Sequence, residues 1–100
     1  MALDKLAQEI RRRALQSPQL GYTVKFALSD LGTIRWDGTR AEPVVDSVDG
    51  PADTTIHISE ENLEKLISGS LDPTLAYMTG KLKVEGSLGV AMKLTSLLGD

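Results

Sequence analysis

Pro73-Thr-Leu-Ala-Tyr-Met-Thr-Gly80-Lys-Leu-Lys-Val-Glu-Gly86-Ser-Leu-Gly-Val-Ala-Met-Lys-Leu-Thr-Ser-Leu-Leu98 reads as a short helix, a short strand and a closing helix, punctuated by Gly80 and Gly86. The closing helix decides the architecture. At 100° per residue from Leu88, its apolar residues Leu88, Val90, Ala91, Met92, Leu94, Leu97 and Leu98 cover an arc of roughly 220°. Gly89, Lys93 and Ser96 hold the polar strip. A surface helix covers a core with a stripe of about 100°. The excess asks for another apolar neighbour, which is a second helix, a partner chain or a lipid-like ligand.

Working outward, Asp72-Pro73 is an N-cap followed by proline at the first helical position, where its missing N–H costs nothing. Leu75, Ala76 and Met78 read as the inward side of that short helix. Before it, Ser59 caps a helix whose first turn carries Glu60 and Glu61, whose stripe is Leu63, Leu66 and Ile67, and which Gly69 ends. Lys81 to Glu85 is a strand, with Leu82 and Val84 inward and Lys81 and Lys83 outward. Thr54, Ile56 and Ile58 alternate with Thr55 and His57, a period of two that marks another strand. His57, the only histidine, therefore points outward and reads as a surface residue.

Asp49-Gly50-Pro51 breaks the chain upstream, and a strand from about Glu42 to Val48 precedes the break. Its Pro43 lacks a donor, which suits a sheet edge. Ile34 and Trp36 alternate with Thr33, Arg35 and Asp37. Tyr22, Val24, Phe26 and Leu28 alternate with Thr23, Lys25, Ala27 and Ser29. Asp30-Leu31-Gly32 turns between these two strands, and Asp37-Gly38 is a second turn. On this pattern Trp36 shares an inward face with Tyr22, Val24, Phe26 and Leu28. Its buried indole N–H is expected to find a partner, because an unpaired one costs about 1–3 kcal/mol. Leu3, Leu6, Ala7, Ile10 and Ala14 fall on one face of an opening helix that Ser17-Pro18 ends. Arg11, Arg12 and Arg13 read first as a solvated helix end that complements the negative pole of its dipole, with an anionic lipid surface as the alternative.

The composition sets bounds. One hundred residues make one domain, here 1–100, with a modest core; 41% are hydrophobic and 25% charged. A net charge of −3 argues against nucleic acid as a partner. The absence of cysteine excludes disulfides and thiol chemistry. No apolar run reaches the ~20 residues of a membrane span. Neither a basic-then-apolar leader nor a terminal Ser-Lys-Leu is present, so a cytoplasmic protein is expected. Gly80-Lys81 is followed by Leu82 and so is not a phosphate loop, and Gly86-Ser-Leu-Gly89 has too few glycines for a dinucleotide fingerprint. No pattern brings acid, base and nucleophile together. No catalytic residue, cofactor or metal site is expected, and the protein reads as not an enzyme.

Gly80-Lys81-Leu82-Lys83-Val84-Glu85-Gly86, followed by Leu88, Ala91, Met92, Lys93 and Leu94, resembles the end of the sterol carrier protein type-two domain. Ala52-Asp53-Thr54-Thr55-Ile56-His57-Ile58-Ser59 and Gly69-Ser70-Leu71-Asp72-Pro73 fall where that family has a characteristic strand and a "Gly-x-x-Asp-Pro" link. The specific resemblance runs from Ala52 to Leu98; residues before it match in pattern only.

The resemblance implies an α+β fold: a five-stranded mixed, mainly antiparallel sheet of order 3-2-1-4-5 with helices packed on one face. It implies non-catalytic binding, and transfer, of a sterol, fatty acid or other acyl lipid in an apolar tunnel between sheet and helices, with transient contact at a membrane surface. The lining residues would be Ile10, Phe26, Ile34, Trp36, Leu63, Ile67, Leu75, Met78, Leu82, Leu88 and Met92. Leu94 and Leu97 would anchor the closing helix in the core while Leu88 and Met92 face the tunnel. The alternative is a protein-interaction module that uses the closing helix to hold a partner in lipid metabolism. The oligomeric state stays open.

Overall fold

The structure, a computed structural model, describes residues 2–16, 21–28, 31–39, 41–47 and 50–98, and the side chains of all of these but Ala2 and Leu3. Alternation of apolar and polar residues produces its sheet. β1 (Thr23–Leu28) and β2 (Gly32–Asp37) bury Val24, Phe26, Leu28, Ile34 and Trp36 on one face and leave the intervening residues half-exposed on the other. β3 (Val44–Asp46), β4 (Thr54–Ile58) and β5 (Leu82–Gly86) complete the order β3-β2-β1-β4-β5. Among the described residues, only β1 and β4 pair in parallel, with Phe26 opposite Ile56; the other three pairings are antiparallel. The sheet is mixed, mainly antiparallel, in the expected order.

That parallel pair needs a local clamp, because no hairpin sets its register. Asp53 supplies it: the Thr23 N–H donates to Asp53 Oδ2 at 2.8 Å and the Asp53 N–H donates to the Thr23 carbonyl at 2.8 Å. β3 is the edge strand that Pro43 called for, but it is shorter than the expected Glu42–Val48. Pairing is confined to Val44–Asp46, past the proline; Val48 lies outside the described residues, as do Ser17-Pro18, Ser29, Asp30 and Asp49. Tyr22 has the parity of the inward set yet is exposed, because it precedes the first residue of β1.

The helices lie on the apolar face. α1 (Ala2–Gln16) buries Leu6, Ala7, Ile10 and Ala14, and Arg11 Nη2 ties it to the edge strand by donating to the Val45 carbonyl at 2.5 Å. α2 (Glu60–Ser68) starts at Ser59, whose hydroxyl accepts the Asn62 N–H, and stops at Gly69 in the left-handed region at φ 82°. α3 (Pro73–Met78) is capped by Asp72 through the Thr74 N–H. α4 (Leu88–Leu98) is capped by Ser87, whose Oγ accepts the Val90 N–H at 3.2 Å. Among the described residues, no helix is long and apolar enough to cross a membrane.

The start of α4 is fixed by one close approach. Gly86 has φ 100°, and a Cβ there would stand 2.6 Å from the Asp53 carbonyl oxygen. This contact lets the next residue reach β4: the Ser87 N–H donates to the buried Thr54 hydroxyl at 3.2 Å.

Candidate functional site

The helix layer and the sheet meet over a continuous apolar interior. Ile10 from α1, Phe26, Ile34 and Trp36 from β1 and β2, Leu63 and Ile67 from α2, and Leu82 from β5 are all buried in it. These seven belong to the expected lining, and the fold brings them into one cluster. Met92 is half-buried against the same cluster. Three others lie elsewhere: Leu75 is 56% exposed, Met78 73% and Leu88 41%. The expectation that Leu75 and Met78 face inward is corrected here. The single buried side chain of α3 is Ala76, and in so short a helix only one direction meets the core.

The wide apolar arc of α4 is divided rather than swallowed whole. Ala91, Leu94, Thr95 and Leu98 are buried and together span about 100°, the ordinary stripe. Val90 and Leu97 on one flank and Met92 on the other are only half-buried. Leu97 is thus a flank residue like Met92, and Leu94 alone of the expected pair sits in the core. Thr95 enters the core because its hydroxyl donates to the Ala91 carbonyl at 2.9 Å, which satisfies it within the helix.

Trp36 carries the one polar atom in this interior that departs from expectation. The residue is 1% exposed, and its indole Nε1 has no hydrogen-bond partner among the described residues. A polar ligand atom or a water arriving there would relieve the penalty of an orphaned donor, about 1–3 kcal/mol.

The helix layer is open in more than one place. A cleft of about 270 Å³ runs between α1 and α2, with Leu6 and Ile67 as its apolar floor and Lys5, Glu9, Arg13, Glu64 and Ser68 around it. That is just below the range of roughly 300–1,000 Å³ usual for ligand pockets. A second cavity of about 440 Å³, bordered by Arg11, Glu42, Pro43, Val44 and Val45, lies between α1 and the edge strand. The sequence reading missed Leu6 and Arg13 as cleft residues. The signal was present in the helical spacing of Leu6 beside Ile10, but nothing local says which two helices stand apart.

The three arginines do not form a free patch. Arg11 is bonded to the Val45 carbonyl, Arg12 lies 2.5 Å from Glu9, and Arg13 borders the cleft. On the opposite sheet face, His57 Nε2 meets Glu85 Oε1 across β4 and β5 in an exposed pair. The described residues hold no cluster of three or more histidine, cysteine or carboxylate side chains placed for a metal.

The sequence model of the SCP-2 sterol transfer family matches residues 2–99. Hydroxysteroid dehydrogenase-like protein 2 of Bos taurus is 43% identical over 49 residues, which are 49% of this chain and 12% of that protein. The chain therefore corresponds to a small part of the length of that relative. Among solved structures, the sterol carrier protein domain 2 of Helicoverpa armigera is 28% identical with a TM-score of 0.65, covering 95% of this chain and 72% of that one. A sterol carrier protein 2 of Aedes aegypti, solved in complex with the C16 fatty acid palmitate, gives a TM-score of 0.74 at 17% identity, over 98% of this chain and 94% of that one.

Proposed function

The chain belongs to the SCP-2 sterol transfer family, and from that premise we propose that it binds a fatty acyl lipid or sterol between its helix layer and its sheet, without acting on it chemically. The residues assigned to the bound chain are Ile10, Phe26, Ile34, Trp36, Leu63, Ile67 and Leu82, with Met92 at the flank of α4. The observation that carries the reading is a mainly apolar interior that holds an indole N–H with no partner among the described residues and is roofed by helices with a cleft between two of them. An apolar tail gains about 0.8 kcal/mol per buried CH₂, and the cleft between α1 and α2 over the Leu6–Ile67 floor is its proposed way in. Leu75, Met78 and Leu88 stay outside this space, and the protein exchanges its cargo at a membrane surface.

Mass spectrometry of the purified protein under native conditions tests the proposal. A co-purifying acyl lipid or sterol at one per chain is the expected result. A lipid-free protein that takes up no added fatty acid, yet forms a stable complex with another protein, would support the interaction module instead.

A further inference from the structure

The interior does not supply what Trp36 needs. A strand side chain stands roughly perpendicular to its sheet, while the sheet's carbonyls lie in plane and serve the ladder. Trp36 stands on the apolar face with Val24 of β1 and Val45 of β3 as its cross-strand partners and Ile34 two residues back, all buried. None of these side chains carries an acceptor. α1 packs over β2 and β3, and the carbonyls of a helix serve its own ladder up to the last turn. The other buried polar side chains among the described residues are Thr54 and Thr95, and both are engaged. Thr54 accepts the Ser87 N–H, and Thr95 donates to the Ala91 carbonyl. Trp36 keeps a buried Nε1–H with no partner among the described residues.

The chemistry of that group restricts what can relieve it. An indole nitrogen donates and does not accept, so the partner must present an acceptor. A carboxylate is the wrong one. No charged side chain is buried among the described residues, and an ionised carboxylate held by one neutral donor in apolar surroundings costs far more than the bond returns. Lys5, Glu9, Arg13 and Glu64 stand instead around the cleft between α1 and α2. A fatty acid therefore leaves its carboxylate at that rim and offers Trp36 only methylene groups. An alcohol brings a donor of its own, which needs a second partner. A neutral carbonyl oxygen accepts, brings no proton and is satisfied by one donor.

We propose that Trp36 selects the cargo: its indole N–H donates to a neutral carbonyl oxygen, of an acyl ester or a ketone, held within the interior. The assignment rests on the lipid-binding reading and narrows it to lipids that carry such a carbonyl inside the bound chain.

Trp36 is the only tryptophan, so a single indole N–H resonance reports on the site. The test follows that resonance in the nitrogen-15-labelled protein while methyl palmitate, 2-heptadecanone, hexadecanol or palmitate is added, and measures the affinity for each. Methyl palmitate or 2-heptadecanone should move it downfield, as a new hydrogen bond does, and the larger response distinguishes ester from ketone. Palmitate should shift it without that downfield displacement. The affinity ratio of the preferred carbonyl lipid to palmitate should fall about fivefold to tenfold in Trp36→Phe. It should fall equally when the indole is replaced by benzothiophene, which keeps the ring's size and lacks the N–H. Palmitate affinity should persist in the benzothiophene protein, which separates loss of the bond from loss of packing. Palmitate binding with an unchanged ratio in both altered proteins overturns the inference and leaves the lipid-binding reading standing. An equal downfield shift with hexadecanol or palmitate overturns the carbonyl assignment, as does an indole N–H that stays bonded to a buried water in every complex. A protein that binds none of the four lipids overturns this inference together with the lipid-binding reading.

Discussion

Leu94→Ala lowers the free energy of unfolding by about 2–5 kcal/mol, and Met92→Gln costs less, although the two residues lie on the same helix two positions apart. Leu94 is fully buried within the stripe that α4 presses onto the core. Truncating its isobutyl group to a methyl loses transfer free energy and leaves a cavity that α1, α2 and the sheet close only in part. Met92 is half-buried on the flank, where a terminal amide still reaches water. The second variant should instead weaken binding of a fully apolar acyl chain, since Met92 borders the space assigned to it. Urea denaturation of both variants, with palmitate titration of the second, gives the comparison. Equal destabilisation by both would make Met92 a core residue and shift the bound chain away from α4.

Gly86→Ala carries the other large effect. Its φ of 100° is a conformation that side chains rarely adopt, which alone costs about 1–3 kcal/mol. A Cβ would also stand 2.6 Å from the Asp53 carbonyl and 3.2 Å from Thr54 Cα, so the backbone must move. That movement breaks the bond from the Ser87 N–H to the Thr54 hydroxyl and tilts the start of α4. Gly80→Ala is the control, because Gly80 has φ 78° but nothing within 4 Å of its would-be Cβ. Thermal unfolding should show Gly86→Ala losing clearly more than Gly80→Ala. A loss no greater than that of the control would mean that the chain does not pass so closely beside β4.

What could be read from the sequence follows the physics of each element. A strand with one buried face writes a period of two into its residues, so Val24, Phe26, Ile34, Trp36, Ile56 and Ile58 were assigned to the correct face. Caps are equally local: Ser59, Asp72 and Ser87 each accept a backbone N–H two or three residues on. The strand order is not local. The parallel pairing of β1 with β4 is closed by Thr23 and Asp53, thirty residues apart, and only resemblance supplied it. α3 misled the reading for a different reason. Hydrophobicity favours turning Leu75 and Met78 inward, but a six-residue helix at the corner of the sheet offers the core one direction, and Ala76 takes it. The wide arc of α4 was visible as an excess; its division into a buried centre and two half-buried flanks depends on the neighbouring helices.

Eight of the eleven residues expected to line a site lie in or against the common interior, because a ligand space between two layers recruits the same inward positions as a core. Trp36 is the residue at which the proposed ligand space would differ from a core. A core tryptophan is expected to satisfy its N–H, and this one does not among the described residues.

The central claim is that the interior between helices and sheet accepts a lipid chain. Its most direct test is a palmitate titration of the isotopically labelled protein followed by amide and methyl NMR. The account predicts saturable shifts concentrated at Leu6, Ile10, Leu63, Ile67, Met92 and the Trp36 indole N–H, with Lys25 and His57 on the outer sheet face unmoved. Saturable binding that shifts the outer sheet face and leaves Trp36 and Ile10 unchanged would contradict it, as would the absence of any shift.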